Sequence, residues 1–364
     1  MEGVTETLLS ELTTIGVGGP ARRYVRATAE DQIVQAVREA DERQEPVLIL
    51  GGGSNLVVSD EGFRGTVIHV ASRGIAVEEH AESTLLTVAA GEAWDDVVRY
   101  TVDQGFTGLE TLSGIPGTAG ATPVQNVGAY GTEISQHFAS ALVYDRKAGQ
   151  TRRFRGEDLE FSYRNSLLKR EIHDGSPRYV VLSVQFDVRR SNLSQPIRYA
   201  ELARRLGVEV GERAEAATVR ETVIELRSGK GMVLDPSDRD SYSTGSFFTN
   251  PIIAAEQQAT IPEDAPRYPM LDPHGAVDES KIKLSAAWLI QNAGFDKGFG
   301  LQSEHQPIAG GRASLSTKHT LAITNRGGAT ARDILAIART VRDGVREEFG
   351  VTLEAEPVII GFTL

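Results

Sequence analysis

Two glycine-rich loops carry most of the chemistry legible in this chain. Gly51-Gly-Gly-Ser-Asn55 follows the apolar run Pro46-Val-Leu-Ile-Leu50 and leads into Leu56-Val-Val58. Gly51, Gly52 and Gly53 permit positive φ and close backbone approach, so successive amides can form an anion-binding nest, with Ser54 and Asn55 adding donors. A hairpin is usually served by one or two glycines, which favours phosphate binding over a bare turn. The second stretch is Ser113-Gly-Ile-Pro-Gly-Thr-Ala-Gly120 followed by Gln125-Asn-Val-Gly-Ala-Tyr-Gly131. A loop this long and small-residued is uncommon unless functional. Pro116, Pro123, Val124 and Val127 argue that it is ordered, and Gln125 and Asn126 could bond the edge of a heterocycle. A third cluster, Gly16-Val-Gly-Gly-Pro-Ala21, formally fits a dinucleotide fingerprint. However, Thr13-Thr-Ile15 is a poor strand, and Pro20 sits where a helix amide should face phosphate, so it reads as a turn. Ser228-Gly-Lys-Gly231 lacks the glycine spacing of a P-loop, which leaves Lys230 as a cation near a ligand.

These loops need elements to position them. Thr28 and Asp31 stand at capping spacing before a helical stripe of Ile33, Val34 and Val37. With strands at 46–50, 56–58 and 66–70, the first ~70 residues suggest a small β-α-β-β unit. Strands are expected at 85–88, 141–144, 180–186, 321–324 and 358–360. Helices are expected near 94–103, 199–206, 219–226 and 284–291, and after the cap Thr330 with Ile334, Leu335, Ile337, Ala338, Val341, Val345 and Phe349 inward. Residues 228–246 are turn-rich. Strands and helices alternate without one regular array, which favours mixed α+β domains over a single doubly wound sheet.

Composition narrows the function. With 364 residues the chain can build two or three domains. A formal charge of −12 makes it a poor general binder of nucleic acid or anionic membrane, so phosphorylated ligands must be held by local cations and amides. The absence of cysteine excludes disulfides, thiolate metal sites and a cysteine nucleophile. The histidines are scattered without metal-ligand spacing, so no metal is expected. No signal-peptide pattern and no ~20-residue apolar run is found, which predicts a cytoplasmic protein without membrane insertion. Trp94 and Trp288 read as core.

Together the loops resemble the two-part FAD site of the vanillyl-alcohol-oxidase-like flavoproteins of the PCMH-type fold. Within that group the chain is similar to the reductases that act on an enolpyruvyl UDP-sugar in bacterial cell-wall synthesis, in their longer, type I form. Further motifs carry the likeness: Phe161-Ser-Tyr-Arg-Asn-Ser166, Gly245-Ser-Phe-Phe-Thr-Asn-Pro251 and Leu353-Glu-Ala-Glu356. The resemblance implies a two-lobed PCMH-type FAD-binding domain plus a separate α+β substrate-binding domain. The expected divisions are an FAD lobe over residues 1–70, a second over 71–231, the substrate domain over 232–347 and a C-terminal segment over 348–364. It also implies non-covalent FAD, NADPH as co-substrate, a UDP-sugar substrate and a monomer. FAD would be held by Gly51, Gly52, Gly53, Ser54, Asn55, Ser113, Gly114, Ile115, Pro116, Gly117, Gly120, Asn126, Gly128, Ala129 and Tyr130.

Reducing an enolpyruvyl double bond needs hydride at one carbon, a proton at the other, and a cation for the charge that spreads into the carboxylate. The resemblance assigns the cation to Arg164, the proton donor to Ser246 and an assisting carboxyl to Glu356. Strand periodicity alone leaves Glu354 and Glu356 equivalent. By the same likeness Tyr163, Tyr199, Lys230, Asn250 and His319 contact substrate, with Tyr199 closing over it and Lys230 near the diphosphate. The alternative is an alcohol or sugar oxidase of the same fold. It would share the FAD loops but has no need of Arg164, Ser246 and Glu356 together. A non-catalytic nucleotide-binding protein is the third reading.

Overall fold

A computed structural model describes residues 7–80, 83–271, 277–302 and 306–364. The chain forms two compact units. The first holds residues 1–12, 19–54 and 61–233; the second holds 13–18, 55–60 and 234–364.

In the first unit, β1 (Ala21–Ala27), β2 (Val47–Leu50) and β3 (Phe63–Val70) form a parallel sheet in the order β1-β3-β2. Helix α1 (Glu30–Glu42) buries Ile33, Ala36, Val37 and Ala40, one face at helical spacing. Its N-cap is Ala29, not Thr28. The Thr28 amide and hydroxyl both donate to Gln32 Oε1, at 2.8 and 3.0 Å. The reaching side chain is therefore one residue later than the spacing to Asp31 suggested.

An antiparallel sheet follows: β4 (Ile75–Glu79), β5 (Thr84–Ala89), β6 (Phe138–Asp145), β7 (Gln150–Arg155) and β8 (Tyr179–Arg190), in the order β7-β6-β8-β5-β4. Helix α2 (Trp94–Asp103) packs Trp94, Val97, Val98 and Thr101 inward. The Trp94 ring meets Phe186 edge-on at 5.4 Å, and its Nε1 donates to the Leu112 carbonyl at 3.0 Å. Helices α3 (Ala200–Leu206) and α4 (Ala216–Gly229) make a smaller core of Ile197, Leu202, Ala203, Val219 and Val223, against which Tyr130 packs.

In the second unit, Leu56–Val58 pairs in parallel with Val358–Ile360. A β-α-β-β unit is present in the first ~70 residues as β1, α1, β2 and β3, but Leu56–Val58 is not one of its strands. Leu56-Val-Val58 takes its hydrogen bonds from the chain's last apolar run, and the sheet of β1, β2 and β3 closes without it. Helix α5 (Ala286–Asn292) starts at the Ser285 cap, and helix α6 (Ala331–Phe349) at the Thr330–Asp333 capping box. Asp60 also accepts from the Ala331 amide at 2.7 Å. A three-stranded antiparallel sheet of Ile252–Ala254, Val277–Leu284 and Arg267–Leu271 was not foreseen. Phe247, Phe248, Leu289, Ile290, Leu335 and Val341 are central to the core.

Trp94 is 1% exposed and ties α2 to the sheet and to the second glycine loop. Trp94→Ala is expected to destabilise the protein by about 3–5 kcal/mol, read as a lowered urea midpoint at an unchanged slope.

Candidate functional site

The first glycine loop leaves the end of β2, and the second follows α2. The two touch backbone to backbone. A Cβ on Gly52 would lie 2.8 Å from Gly117 Cα, and one on Gly51 would lie 2.4 Å from Thr118 Oγ1. Gly117 itself has φ +121°, a conformation that side chains rarely adopt. Ser54 Oγ donates to the Pro116 carbonyl at 3.0 Å, fastening the pair. Among the described residues, the amides of Gly52, Gly53, Ser54 and Gly117 meet no backbone acceptor. Unengaged amides on a small-residue surface are what an anionic group requires. The residues present therefore fit the diphosphate of FAD.

The rest of the second loop is held from behind. Gly114, at φ +69°, gives its amide to Asp95 Oδ1 at 2.6 Å. Asp95 also grips Arg220 with both oxygens, at 2.6 and 2.7 Å. Burial alone would raise Asp95, but the Arg220 and Gly114 hydrogen bonds outweigh it and hold the carboxyl below its ordinary range. The buried Ser113 hydroxyl donates to the Glu110 carbonyl at 2.6 Å, and Gly120 donates to the Ala90 carbonyl at 2.9 Å. Ile115 is partly buried against the core.

Further along, the loop is laced to the turn carrying Tyr163 and Arg164. Ser166 Oγ donates to the Val124 carbonyl at 2.6 Å. Asn126 Nδ2 donates to the Ser162 carbonyl at 3.1 Å and to Glu133 at 2.8 Å, while its Oδ1 accepts from the Ser135 amide at 3.0 Å. Arg164 Nη2 donates to the Gly128 carbonyl at 2.9 Å. Alternate loop residues are thus clamped by one turn. A Cβ on Gly128 would press within 2.9 Å of Glu133 Cγ and within 3.2 Å of Arg164 Nη1. The Arg164 guanidinium stands 5.3 Å from the Tyr163 ring centroid. Asn126, Tyr130 and Arg164 all hold left-handed φ, at 47°, 50° and 52°. Such strain in non-glycine residues clusters at functional sites.

Ala129 precedes Tyr130, whose ring meets Tyr199 edge-on at 5.4 Å. Lys230 Nζ lies 6.0 Å from the Tyr130 centroid and 2.8 Å from Glu201 Oε2. Burial would lower Lys230, but the Glu201 hydrogen bond outweighs it and raises the ammonium above its ordinary value.

Sequence reasoning missed Asp95, Arg220, Glu201 and Arg227. Arg227 is 9% exposed, and burial pushes it down to about 10. Its Nη2 donates to the Met232 carbonyl at 2.9 Å, and its Nε is buried without an acceptor among the described residues. Its Cδ and Nε would lie 3.6 Å from a Cβ on Gly114. The one available signal was the seven-residue spacing of Arg220 and Arg227, which puts both on the same face of α4.

The second unit brings together the remaining site residues. The segment after Ser246 runs antiparallel to the C-terminal segment. Glu356 N donates to the Phe247 carbonyl at 2.8 Å, Thr249 N donates to the Glu354 carbonyl at 3.0 Å, and Phe248 bridges Ala355. Glu356 is therefore opposite the neighbour of Ser246 and half-buried, whereas Glu354 lies opposite Thr249 and is exposed. The two glutamates thus differ in the residue they face and in burial. Asn55 belongs here too: its Nδ2 donates to the Glu356 carbonyl at 3.4 Å and its own carbonyl accepts from Val358 at 3.0 Å. Asn250 Oδ1 accepts from the Ala286 amide at 2.9 Å, at the start of α5. His319 sits half-buried in the turn before Leu321, whose carbonyl accepts from Phe247 N at 2.7 Å. Asp240 stabilises that neighbourhood by accepting from Thr317 N, Thr317 Oγ1 and Arg326, at 2.8, 2.6 and 2.7 Å. The site residues thus form two groups, one in each unit.

A family model described as an FAD binding domain matches residues 21–155. Another, described as the C-terminal domain of UDP-N-acetylenolpyruvoylglucosamine reductase, matches residues 235–360. The UDP-N-acetylenolpyruvoylglucosamine reductase of Cutibacterium acnes is 49% identical, over 100% of this chain and 92% of its own length. The protein of the same name from Thermobifida fusca is 50% identical, over 98% of this chain and 97% of its own. Among solved structures, UDP-N-acetylenolpyruvylglucosamine reductase from Thermus caldophilus matches with a TM-score of 0.63 at 25% identity, covering 98% of both chains.

Gly52→Ala must push the two loops apart. Overpacking of this kind predicts FAD binding weaker by about ten- to a hundredfold. Flavin fluorescence on dilution would measure it, and an unchanged dissociation constant would refute the steric role of this contact.

Proposed function

The chain belongs to the UDP-N-acetylenolpyruvoylglucosamine reductase family, and we propose that it reduces the enolpyruvyl ether of the UDP-sugar to UDP-N-acetylmuramate at the expense of NADPH. FAD, when bound, supplies the carrier that accepts hydride from NADPH and delivers it to the substrate. The residues of this chain bind, orient and protonate. The glycine loops offer their amides to the FAD diphosphate. Arg164 forks onto the substrate carboxylate and stabilises the charge that develops there, as a fixed guanidinium can. Ser246 gives its proton to the substrate carbon that carries the ether oxygen, and Glu356 assists the polarisation. Tyr163, Tyr199, Asn250 and His319 orient the sugar nucleotide, and Lys230 receives its diphosphate.

The observation that best supports this reading is the register that sets Glu356 beside the Ser246 segment. An oxidase would have no use for Arg164, Ser246 and Glu356 together. Among the described residues, no helix is long and apolar enough to cross a membrane. We propose that the protein works in the cytoplasm as a monomer, with NADPH and the UDP-sugar taking turns at one flavin face.

The test is an anaerobic stopped-flow run on the yellow holoenzyme. NADPH should bleach the flavin, and the enolpyruvyl UDP-sugar should restore it. Rapid reoxidation by oxygen with no response to the sugar would overturn the reading. Loss of the proton donor typically costs about 10²–10⁴-fold. Ser246→Ala should therefore keep its reduction by NADPH while reoxidation by the sugar slows by at least that range. Reoxidation at the parent rate would remove Ser246 from the proton-donor role.

A further inference from the structure

Lys230 already has a partner. Its ammonium lies 2.8 Å from Glu201 Oε2, and both side chains are 31% exposed. Glu201 stands in the first turn of α3, two residues beyond Tyr199, and Lys230 directly follows α4. The Tyr130 ring meets Tyr199 edge-on at 5.4 Å and has this ammonium 6.0 Å from its centroid. The pair differs in kind from Asp95 and Arg220. There the carboxylate uses both oxygens and an amide, and the arginine side chain is only 12% exposed. Among the described residues Glu201 makes a single hydrogen bond, on a flexible stem at a site solvent can enter. Asp95 is built to stay; Glu201 can be displaced.

Two ligands that share one site must each leave before the other can bind. NADPH and the UDP-sugar both carry a diphosphate, so a bare lysine would hold both tightly and slow the exchange. A mobile carboxylate at hydrogen-bond distance changes that balance. It keeps the ammonium charged and in place when the site is empty, and it reclaims the ammonium as the diphosphate departs. A diphosphate that binds competes with it for the ammonium.

We propose that Glu201 is a competing counter-ion for Lys230, one that weakens the hold on both diphosphate ligands and so speeds their exchange. This rests on the reading of Lys230 as the diphosphate cation. Glu201→Gln removes the charge while keeping the shape and a hydrogen-bond acceptor. The KM values for NADPH and for the UDP-sugar should fall together, by about two- to fivefold, the range expected from one part-exposed ion pair. Inhibition by NADP⁺ should tighten by the same factor, and the rate of flavin bleaching at saturating NADPH should not change. Glu201→Asp, which retains the charge on a shorter stem, should fall between parent and Gln.

If both KM values instead rise or stay level in Glu201→Gln, the carboxylate merely positions the lysine and the proposal is wrong. Lys230→Ala separates the two claims. It should raise both KM values by at least about tenfold. If it does so and Glu201→Gln brings no gain, only the competitor role falls. If Lys230→Ala leaves both KM values unchanged, the diphosphate reading of Lys230 falls and the proposal with it. Retained FAD and an unchanged melting temperature identify a folded variant. A folded Glu201→Ala provides the same comparison should the Gln variant fail to fold.

Discussion

The cofactor half of the site depends on one steric fact: two backbones meet at Gly52 and Gly117 where no Cβ can fit. Strand β2 delivers the first loop to that point and α2 fixes the second from behind, through the Asp95 bond to Gly114. The glycines therefore serve loop-to-loop contact before they serve a ligand. Amides that meet no backbone acceptor among the described residues are the consequence. A loop pressed against another loop, rather than into a sheet, has no ladder to satisfy its N–H groups. The same close approach that demands glycine leaves donors for an anion.

Strain is the second constraint, and it follows from the first. The Gln125–Gly131 stretch must leave that contact and still present Gly128 and Tyr130, so it passes through left-handed residues. Asn126 and Tyr130 there, and Arg164 in the facing turn, each carry a conformational cost of roughly 1–2 kcal/mol. Hydrogen bonds hold Asn126 and Arg164 in place. Asn126 is fixed by three partners, and Lys169 Nζ donates to the Arg164 carbonyl at 3.1 Å. A guanidinium held this way is fixed in advance, as the role proposed for Arg164 requires.

Most helices and many strands were legible because their burial is periodic. Helix α6 shows a full stripe from Ile334 to Phe349, and β8 is a long apolar run. Elements lacking that contrast stayed hidden. Val277–Leu284 reads Val-Asp-Glu-Ser-Lys-Ile-Lys-Leu and is largely exposed, so no local pattern announces a strand. Leu56-Val-Val58 was recognisable as a strand, but its partner lies about 300 residues away at Val358–Ile360. Partner choice at that distance is a tertiary fact. The site divides likewise. Glycine, serine and tyrosine in short motifs stand out in sequence, whereas Asp95, Arg220 and Glu201 look like ordinary helix-surface charges until α2, α3 and α4 are packed. Glu354 and Glu356 differ in burial and in which residue the opposing segment sets across from them, neither of which the sequence shows.

Charge brings these threads together. The chain carries a net −12, yet the ligands of its family are anions. What matters at a site is the local field, and Arg164, Arg220, Arg227 and Lys230 contribute to it in the first unit. Arg220 is neutralised by a bidentate carboxylate, Lys230 by a single displaceable one. Arg164 lies over an aromatic face and against a backbone carbonyl. Arg227, held by one carbonyl and sealed from water, feels the repulsion of Arg164 as well as the loss of hydration. Arg227 still remains protonated at neutral pH, because a fall to about 10 is far from sufficient to discharge it. A desolvated charge acts through a lower dielectric than one on the surface, so its field at the neighbouring loop exceeds that of the distant surface carboxylates, which salt screens within about 8–10 Å. The protein's global repulsion of anions and its local attraction for them thus coexist, and burial sets the boundary between the two.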